Sequence, residues 1–407
     1  MLLTTAPTAS ADDVRDAQWP LTVYDAEKVW ETSEGAGVTV AVIDSGVDAS
    51  HPDLTGQVLA GKDFTGAGDP HEDNDGHGTG MASLIAGHGH GAGNADGVMG
   101  LAPKAKILPV RVDTTENKVD TAAWAAGVRY AVDSGASVIN LSLGDSNGYP
   151  GSKAAEAISY AQEHDVVVVA ASGNDAGTVT YPAALPGVVA VSAVDQALRP
   201  WSKSNTGSVV VAAPGVATPQ ADPTIDSGYI SANGTSGSAA YVSAIVALLR
   251  SEYPKLTAGQ IINRLVKSAS FLNNEGRIAP DEQLGYGIAR PGTALTMDIS
   301  AGPKEGPLAE ATSDSASAVA GSEGDNSASE SKESSSMGSV YLIAGIAVVV
   351  IFIAVVIAVV RNCRNRGSGG SGPNGGTPTY NTAYTSPTLT SYQSDIHPYT
   401  QRPPHRE

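Results

Sequence analysis

The sequence predicts an α/β fold with a doubly wound parallel sheet over residues 20–299. Six short runs of β-branched and other apolar residues are continuous there rather than alternating, which indicates strands buried on both faces. Stretches with helical periodicity lie between these runs. Strands that alternate with helices in this way typically form a parallel sheet covered by helices on both sides.

The predicted strands and helices follow one another along this region. The strands are residues 38–44, 106–112, 136–143, 166–172, 188–194 and 209–215. The helices are residues 121–133, 152–163, 235–252 and 257–268. Pro254 ends the third helix, and the side chain of Thr257 is suited to cap the fourth.

The composition excludes several classes of protein. The 407 residues include 42 Asp and Glu against 24 Lys and Arg, and the net charge of −18 repels phosphate backbones. We therefore expect no nucleic-acid partner. Cys363 is the single cysteine, which excludes an intramolecular disulfide and a cysteine-rich metal site. Aromatic residues make up 5% of the chain, too few for a binding module built on aromatic surfaces.

Residues 340–360 form an uncharged apolar stretch of 21 residues. At about 1.5 Å rise per residue, a helix of this length spans roughly 30 Å, the thickness of the hydrocarbon core of a bilayer. Arg361, Arg364 and Arg366 follow the stretch directly. By the positive-inside rule we expect a single-pass protein of the cell membrane, with the C-terminus in the cytoplasm and the preceding residues outside.

Segments of low complexity flank the apolar stretch. Residues 300–339, rich in Ser, Ala, Glu and Gly, are predicted to be a flexible linker, and residues 361–407 a disordered cytoplasmic tail. At the other end, an external domain needs an export signal. Residues 1–19 are interpreted as the remnant of a signal peptide with a short N-terminal segment, in which Ala9-Ser10-Ala11 has the form of a cleavage site.

Three residues with catalytic potential fall at predicted strand ends or in nearby loops, where function gathers in parallel sheets. Asp44 ends the first strand, His77 lies where a helix is expected to begin, and Ser236 lies at the start of the helix 235–252. A serine hydroxyl becomes a nucleophile when an imidazole takes its proton, and a buried carboxylate holds that imidazole in one tautomer. Asn174 follows another strand, and its amide and the Ser236 N–H are candidate donors to an oxyanion.

The strings around these residues are VIDSGVDASHPDL, DGHGTGMAS, SGN and NGTSGSAA. They resemble the signature blocks of the subtilisin-like serine peptidases, the subtilases, over about residues 20–295. The resemblance implies a subtilisin-like three-layer fold and a serine endopeptidase that acts on peptide or protein substrates and requires no cofactor. The residues that it assigns to catalysis are Asp44, His77, Ser236 and Asn174. The residues that it assigns to a strand that pairs with an extended substrate are Ser142, Leu143 and Gly144.

The order of segments is similar to that of the mycosins, the membrane-anchored subtilases associated with type VII secretion in actinobacteria. A short N-terminal segment, a subtilase domain, a linker, one apolar span and a small tail follow one another. The resemblance implies an endopeptidase of extracytoplasmic proteins with the type VII secretion machinery as a partner. The alternative is a structural component that stabilises a secretion complex and in which proteolysis is dispensable.

The block around Ser236 departs from the subtilase pattern, in which a bulky residue directly follows the serine and a proline stands four residues after the serine. Gly237, Ser238 and Ala240 stand there instead, and a glycine weakens the start of a helix. A competing motif, GDSNG at residues 144–148, would make Ser146 the nucleophile of an esterase. The Tyr-Pro-Gly that follows it does not continue the helix that such an elbow requires.

Two further motifs suggest metal binding only weakly. Residues 71–76, HEDNDG, are similar to the start of a calcium loop, but Ala82 stands where an EF-hand needs an acid. His88 and His90 lie in the glycine-rich stretch AGHGHGAG, which favours a flexible loop over a metal site. The resemblance to subtilases is compatible with a structural calcium ion outside residues 71–76, but the sequence indicates no site for one.

Overall fold

Strands and helices alternate along the chain in a computed structural model that describes residues 12–66, 68–114, 120–144 and 152–308. The strands are β1 (Thr39–Asp44), β2 (Lys62–Asp63), β3 (His88–His90), β4 (Asp96–Met99), β5 (Lys106–Arg111), β6 (Val138–Leu141), β7 (Val167–Ala171), β8 (Val189–Val194), β9 (Val211–Pro214), β10 (Thr218–Ala221) and β11 (Tyr229–Ala232). The helices are α1 (Asp12–Asp16), α2 (Trp19–Tyr24), α3 (Ala26–Trp30), α4 (His77–Ala86), α5 (Thr121–Asp133), α6 (Ser152–Glu163), α7 (Thr235–Glu252), α8 (Ala258–Ser268) and α9 (Pro291–Thr296).

Seven of these strands form one sheet in the order β2-β5-β1-β6-β7-β8-β9, and every pair in it is parallel. All six strands that the sequence predicts lie in this sheet, so the predicted parallel α/β fold is confirmed. The buried residues of β1, β6, β7 and β8 explain why the apolar runs are continuous, since helices cover both faces.

The helices around the sheet form two groups. Helix α4 packs against α7, and α5 packs against α6. Helices α4 and α5 both contact β1 and β5, yet α4 packs with α7 and α5 packs with α6. The two groups therefore cover opposite faces of the sheet, and the domain has three layers.

Helix α7 is buried along its length, with every residue from Gly237 to Arg250 in the core. It packs against four neighbouring strands of the sheet and against α4. A helix that is enclosed on all sides needs no polar face, which explains its nearly continuous apolar sequence. Its first turn carries Ser236 to the same edge of the sheet as the end of β1.

Several bounds agree closely with the sequence analysis. Helices α5, α6 and α7 have the predicted limits. Thr257 caps α8 in a capping box, in which its hydroxyl accepts from the Gln260 N–H while the Gln260 side chain accepts from the Thr257 N–H. The Thr257 hydroxyl also donates to the carbonyl of Lys304, so the first residues of the predicted linker contact this helix.

The glycine-rich stretch around His90 is a hairpin and not the flexible loop that the sequence favours, so that prediction was wrong. Strand β3 pairs with β4 in antiparallel fashion. The imidazole of His90 lies 2.6 Å from Oδ1 of Asp53, which is fully buried and also accepts from the Val98 N–H. A buried carboxylate that engages both strands orders a segment whose composition alone suggests a loop.

Parts of the predicted organisation lie outside the described residues: the signal-peptide remnant up to residue 11, Ser146, the linker from residue 309, the apolar stretch 340–360 and the tail. Over the portion that the structure covers, none of the helices combines the length and the apolar character needed to cross a bilayer. Nor do the described residues bring three or more His, Cys, Asp or Glu side chains together as a metal site.

The N-terminal residues 12–19 pack against the domain. The side-chain amide of Gln18, which is 2% exposed, pairs with both backbone groups of Met99, accepting from its N–H at 2.8 Å and donating to its carbonyl at 2.9 Å. The indole of Trp19 donates to the carbonyl of Ala217. These contacts join the N-terminal segment to the end of β4 and to the residue that precedes β10.

Replacing Gln18 by Leu is expected to lower the free energy of unfolding by about 1–3 kcal/mol, because both backbone groups of Met99 then lose a buried partner. Urea unfolding of the two proteins measures the difference. Lys28→Ala is the control, since the Lys28–Glu31 pair is 70% and 68% exposed and exposed pairs contribute little. Equal losses of unfolding free energy in the two variants would contradict the role of Gln18 as a buried partner of Met99.

Candidate active site

Asp44 and His77 form a hydrogen-bonded pair at the carboxyl edge of the sheet. Asp44 is the last residue of β1 and is fully buried, whereas the side chain of His77, the first residue of α4, is 32% exposed. Nδ1 of His77 lies 2.8 Å from Oδ1 of Asp44, which also accepts from the Ser45 N–H. An ionised carboxylate only accepts hydrogen bonds, so in the neutral imidazole Nδ1 carries the proton and Nε2 is the basic nitrogen.

The charge of Asp44 sets the basicity of His77. Burial lowers the pKa of the imidazole, but the adjacent Asp44 carboxylate and the charges of Asp75 and Asp73 outweigh it and raise the pKa from 6.5 to about 9. The imidazolium is therefore stabilised in this position. The neutral imidazole, which predominates above this pKa, is the form that can accept a proton from a nearby hydroxyl.

A second carboxylate fixes the position of His77. Ser45 Oγ donates to Oδ1 of Asp73 at 2.9 Å and accepts from the Gly78 N–H at 3.0 Å. Oδ2 of Asp73 accepts from both the N–H and the hydroxyl of Thr79. This network joins the end of β1 to the first turn of α4, and it satisfies both oxygens of Asp73, the central acid of the HEDNDG segment.

Close packing at this junction requires two glycines. A Cβ at Gly78 would lie 2.0 Å from the carbonyl oxygen of Gly46, and a Cβ at Gly46 would lie 2.2 Å from the carbonyl oxygen of Glu72. Gly46 also has a φ of +118°, which disfavours any side chain. Any larger residue at either position would push α4 away from Asp44 and lengthen the 2.8 Å contact.

Ser236 is the second residue of α7 and is half-buried. Its hydroxyl donates to the carbonyl of Ser142 at 3.3 Å, and the hydroxyl of Ser142 donates to the carbonyl of Ser236 at 3.0 Å. Ser236 and His77 line the same cleft of about 220 Å³. Among the described residues no hydrogen bond joins Ser236 to His77, so the pairing of nucleophile and base stays a prediction.

Asn174 lines the cleft beside Ser236, as the sequence analysis expects of an oxyanion donor. Its side-chain oxygen accepts from both the N–H and the hydroxyl of Thr235 at 2.9 Å. These bonds fix which end of the amide faces the helix and identify Nδ2 as its donor end. The role of Asn174 in catalysis stays a prediction.

The segment predicted to bind substrate continues beyond β6. Strand β6 ends at Leu141, and Ser142, Leu143 and Gly144 follow it without a strand partner in the described part of the chain. Ser142 and Leu143 are buried, whereas Gly144 is exposed. The segment lies next to the nucleophile through the hydrogen bonds between Ser142 and Ser236, and its pairing with substrate stays a prediction.

The unusual residues after Ser236 have a structural explanation. The hydroxyl of Ser238 donates to the carbonyls of Ala213 at 2.9 Å and Pro214 at 3.1 Å, which ties the first turn of α7 to the end of β9. Gly237 packs beside Thr218. The helix begins at Thr235 in spite of the glycine because these bonds, and those of Asn174, hold its first turn.

Sequence reasoning missed the residues that support the site. Ser45 and Asp73 were not identified as supporting residues, although Ser45 directly follows Asp44 and Asp73 lies four residues before His77. In the string TPQAD at residues 218–222, polar and apolar residues alternate, which predicts a strand with one polar face.

Comparisons with known proteins agree with this geometry. Residues 35–287 match the Subtilase family. Thermitase of Thermoactinomyces vulgaris is 41% identical over 229 residues, which cover 56% of this chain and 80% of thermitase. The crystal structure of MycP1 from the ESX-1 type VII secretion system has a TM-score of 0.64 at 29% identity, covering 75% of this chain and 91% of that one. The MycP3 protease from the type VII (ESX-3) secretion system has a TM-score of 0.57 at 31% identity, covering 73% and 91%.

Replacing Asp44 by Asn is expected to lower the pKa of His77 from about 9, because burial still opposes the charged imidazole while the neighbouring anion is gone. As the pH rises, His77 should lose its proton around pH 9 in the wild type and at a lower pH in the variant. An NMR titration of the imidazole measures both values. Asp48→Asn is the control, because the Asp48 carboxylate bonds to Ser50. Identical titration of His77 in wild type and Asp44→Asn would contradict this explanation.

Proposed function

The chain belongs to the subtilase family of serine endopeptidases, and we propose that it hydrolyses peptide bonds of extracytoplasmic proteins with a triad of Asp44, His77 and Ser236. The observation that carries the assignment of residues is the 2.8 Å contact between His77 and the buried Asp44, in the same cleft as Ser236. This contact leaves Nε2 of the imidazole as the base for the serine hydroxyl.

In the proposed mechanism, Ser236 Oγ attacks the scissile carbonyl while His77 takes the hydroxyl proton. His77 then gives this proton to the leaving amine, and water, activated by the same imidazole, hydrolyses the acyl-enzyme. Asp44 stabilises the imidazolium in both steps. The side chain of Asn174 and the N–H of Ser236 donate to the oxyanion, each worth about 3–4 kcal/mol of transition-state stabilisation.

The substrate is proposed to bind as an extended strand along Ser142, Leu143 and Gly144. The contact of this segment with Ser236 supports the proposal, because a peptide paired there would bring its carbonyl carbon next to the nucleophile. Backbone pairing tolerates varied side chains, which fits a protein substrate rather than a single small molecule.

The domain is proposed to be held at the outer face of the cell membrane by residues 340–360, with the tail in the cytoplasm. Association with a type VII secretion system is proposed as well. It is supported by the similarity to MycP1 and MycP3, both described as belonging to such systems, over about three quarters of this chain (75% and 73%).

A fluorophosphonate probe is expected to label the wild type and not Ser236→Ala, since the probe loses fluoride to the attacking hydroxyl only where a base activates that hydroxyl. In-gel fluorescence measures the labelling. Ser146→Ala is the matched control and should label like the wild type, whereas loss of its labelling would support the esterase alternative. A folded wild type that does not label would contradict the catalytic proposal and favour a structural role in a secretion complex.

Deleting residues 340–360 is expected to release the protein from membranes that retain the full chain in alkaline carbonate, because 21 apolar residues are lost. Immunoblotting of pellet and supernatant measures the distribution. A deletion of the same length in the tail, residues 380–400, is the control and should leave the protein in the pellet. Release of the full chain by carbonate would contradict the anchor.

A further inference from the structure

One side of the cleft carries polar groups that the proposed mechanism does not use. This part, which we name the His77 side, is lined by Asp75, His77, Thr218, Gln220, Asp222 and Gly237. Ser142, Leu143 and Gly144 do not line it. The residues of the proposed substrate strand are therefore distinct from those of the His77 side.

The His77 side is the side of the leaving group. In the proposed mechanism His77 passes its proton to the amine that departs, so the residue that follows the scissile bond lies next to this imidazole. The side chain of this substrate residue then contacts the groups that line the cleft around His77. Those groups determine which substrate side chain binds there.

Strand β10 directs a row of polar side chains towards this space. Thr218, Gln220 and Asp222 alternate with Pro219 and Ala221, so the three polar side chains share one face. Gln220 is only 6% exposed and Asp222 only 8% exposed, although both line the cleft. Such strongly buried polar groups normally have hydrogen-bond partners.

The partners of these two side chains are incomplete. Oδ1 of Asp222 accepts from the N–H of Thr224 at 2.9 Å and from its hydroxyl at 2.6 Å, which holds the carboxylate in place. Within the described ranges, Oδ2 of Asp222 and the side-chain amide of Gln220 make no hydrogen bond, and no Lys or Arg pairs with Asp222 or Asp75. The cleft thus holds a fixed, largely buried carboxylate with one unused oxygen.

Gly237 is buried and closely packed beside the nucleophile. A Cβ at this position would lie 3.3 Å from Oγ1 of Thr218 and 3.4 Å from Cδ1 of Leu84, so a larger residue there would crowd both neighbours. A lysine or arginine side chain that enters the cleft reaches towards the Asp222 carboxylate while its aliphatic part stays in apolar contact.

We propose that the His77 side of the cleft selects a lysine or arginine as the residue immediately after the scissile bond. The cation pairs with Asp222 Oδ2, the amide oxygen of Gln220 accepts a further hydrogen bond, and the exposed Asp75 adds negative charge at the rim. This inference rests on the proposed function, since it names the substrate class of the same site.

The test uses internally quenched peptides that differ only in the residue after the cleaved bond, which is lysine, arginine, norleucine or glutamate. Lysine and arginine peptides are expected to exceed norleucine about tenfold in kcat/KM, with glutamate lowest. Asp222→Asn and Asp75→Asn should each reduce the lysine-to-norleucine ratio. Asp226→Asn, an exposed acid of the same hairpin loop, is the matched control and should keep the wild-type ratio.

Binding of the same peptides to Ser236→Ala, followed by fluorescence anisotropy, tests the subsite without turnover. Tighter binding of the lysine peptide than of the norleucine peptide, lost in the double variant Asp222→Asn/Ser236→Ala, supports the inference. This holds even if the wild type hydrolyses none of the peptides, a result that would contradict the proposed function alone. Equal kcat/KM and equal binding for lysine and norleucine peptides would overturn the inference, as would a preference that Asp222→Asn and Asp75→Asn both leave unchanged.

Discussion

The arrangement of the site depends on one junction, the contact between the carboxyl end of β1 and the first turn of α4. The hydrogen bond from His77 to Asp44 exists only because these two elements meet at backbone distance, which glycine at positions 46 and 78 permits. Asp73 then holds the junction together from the side through Ser45. Burial of Asp44 without this geometry would leave an unpaired carboxylate in the core, so the fold and the site stabilise each other.

The second constraint is the buried helix α7. Because the helix is enclosed by the sheet on one side and α4 on another, its first turn has a fixed position relative to His77. Asn174 accepts a hydrogen bond from Thr235 in this turn, and Ser238, which belongs to the turn, donates to the carbonyl of Ala213 in β9. Ser236 is therefore placed by packing of the whole domain rather than by a flexible loop, as a nucleophile must be to act at a fixed distance from its base.

Much of this was predictable from the sequence because its signals are local. Continuous apolar runs predicted every long strand of the sheet, and the polar residues at their ends predicted the cleft that contains His77, Asn174 and Ser236. The misses have a common cause, which is that tertiary contacts override composition. The β3–β4 hairpin is ordered by Asp53, a residue more than thirty positions away from His90, and Asp73 is recognisable as a support only when β1 and α4 are seen together.

The central claim is that Asp44, His77 and Ser236 act as one catalytic unit. The most direct test is a comparison of peptide hydrolysis by Ser236→Ala with hydrolysis by the triple variant Asp44→Asn/His77→Ala/Ser236→Ala, under conditions in which each is folded. If the three residues act together, the triple variant loses no more activity than Ser236→Ala alone, because the base and its carboxylate have no function without the nucleophile. Losses that add on a logarithmic scale would show independent roles and contradict the account.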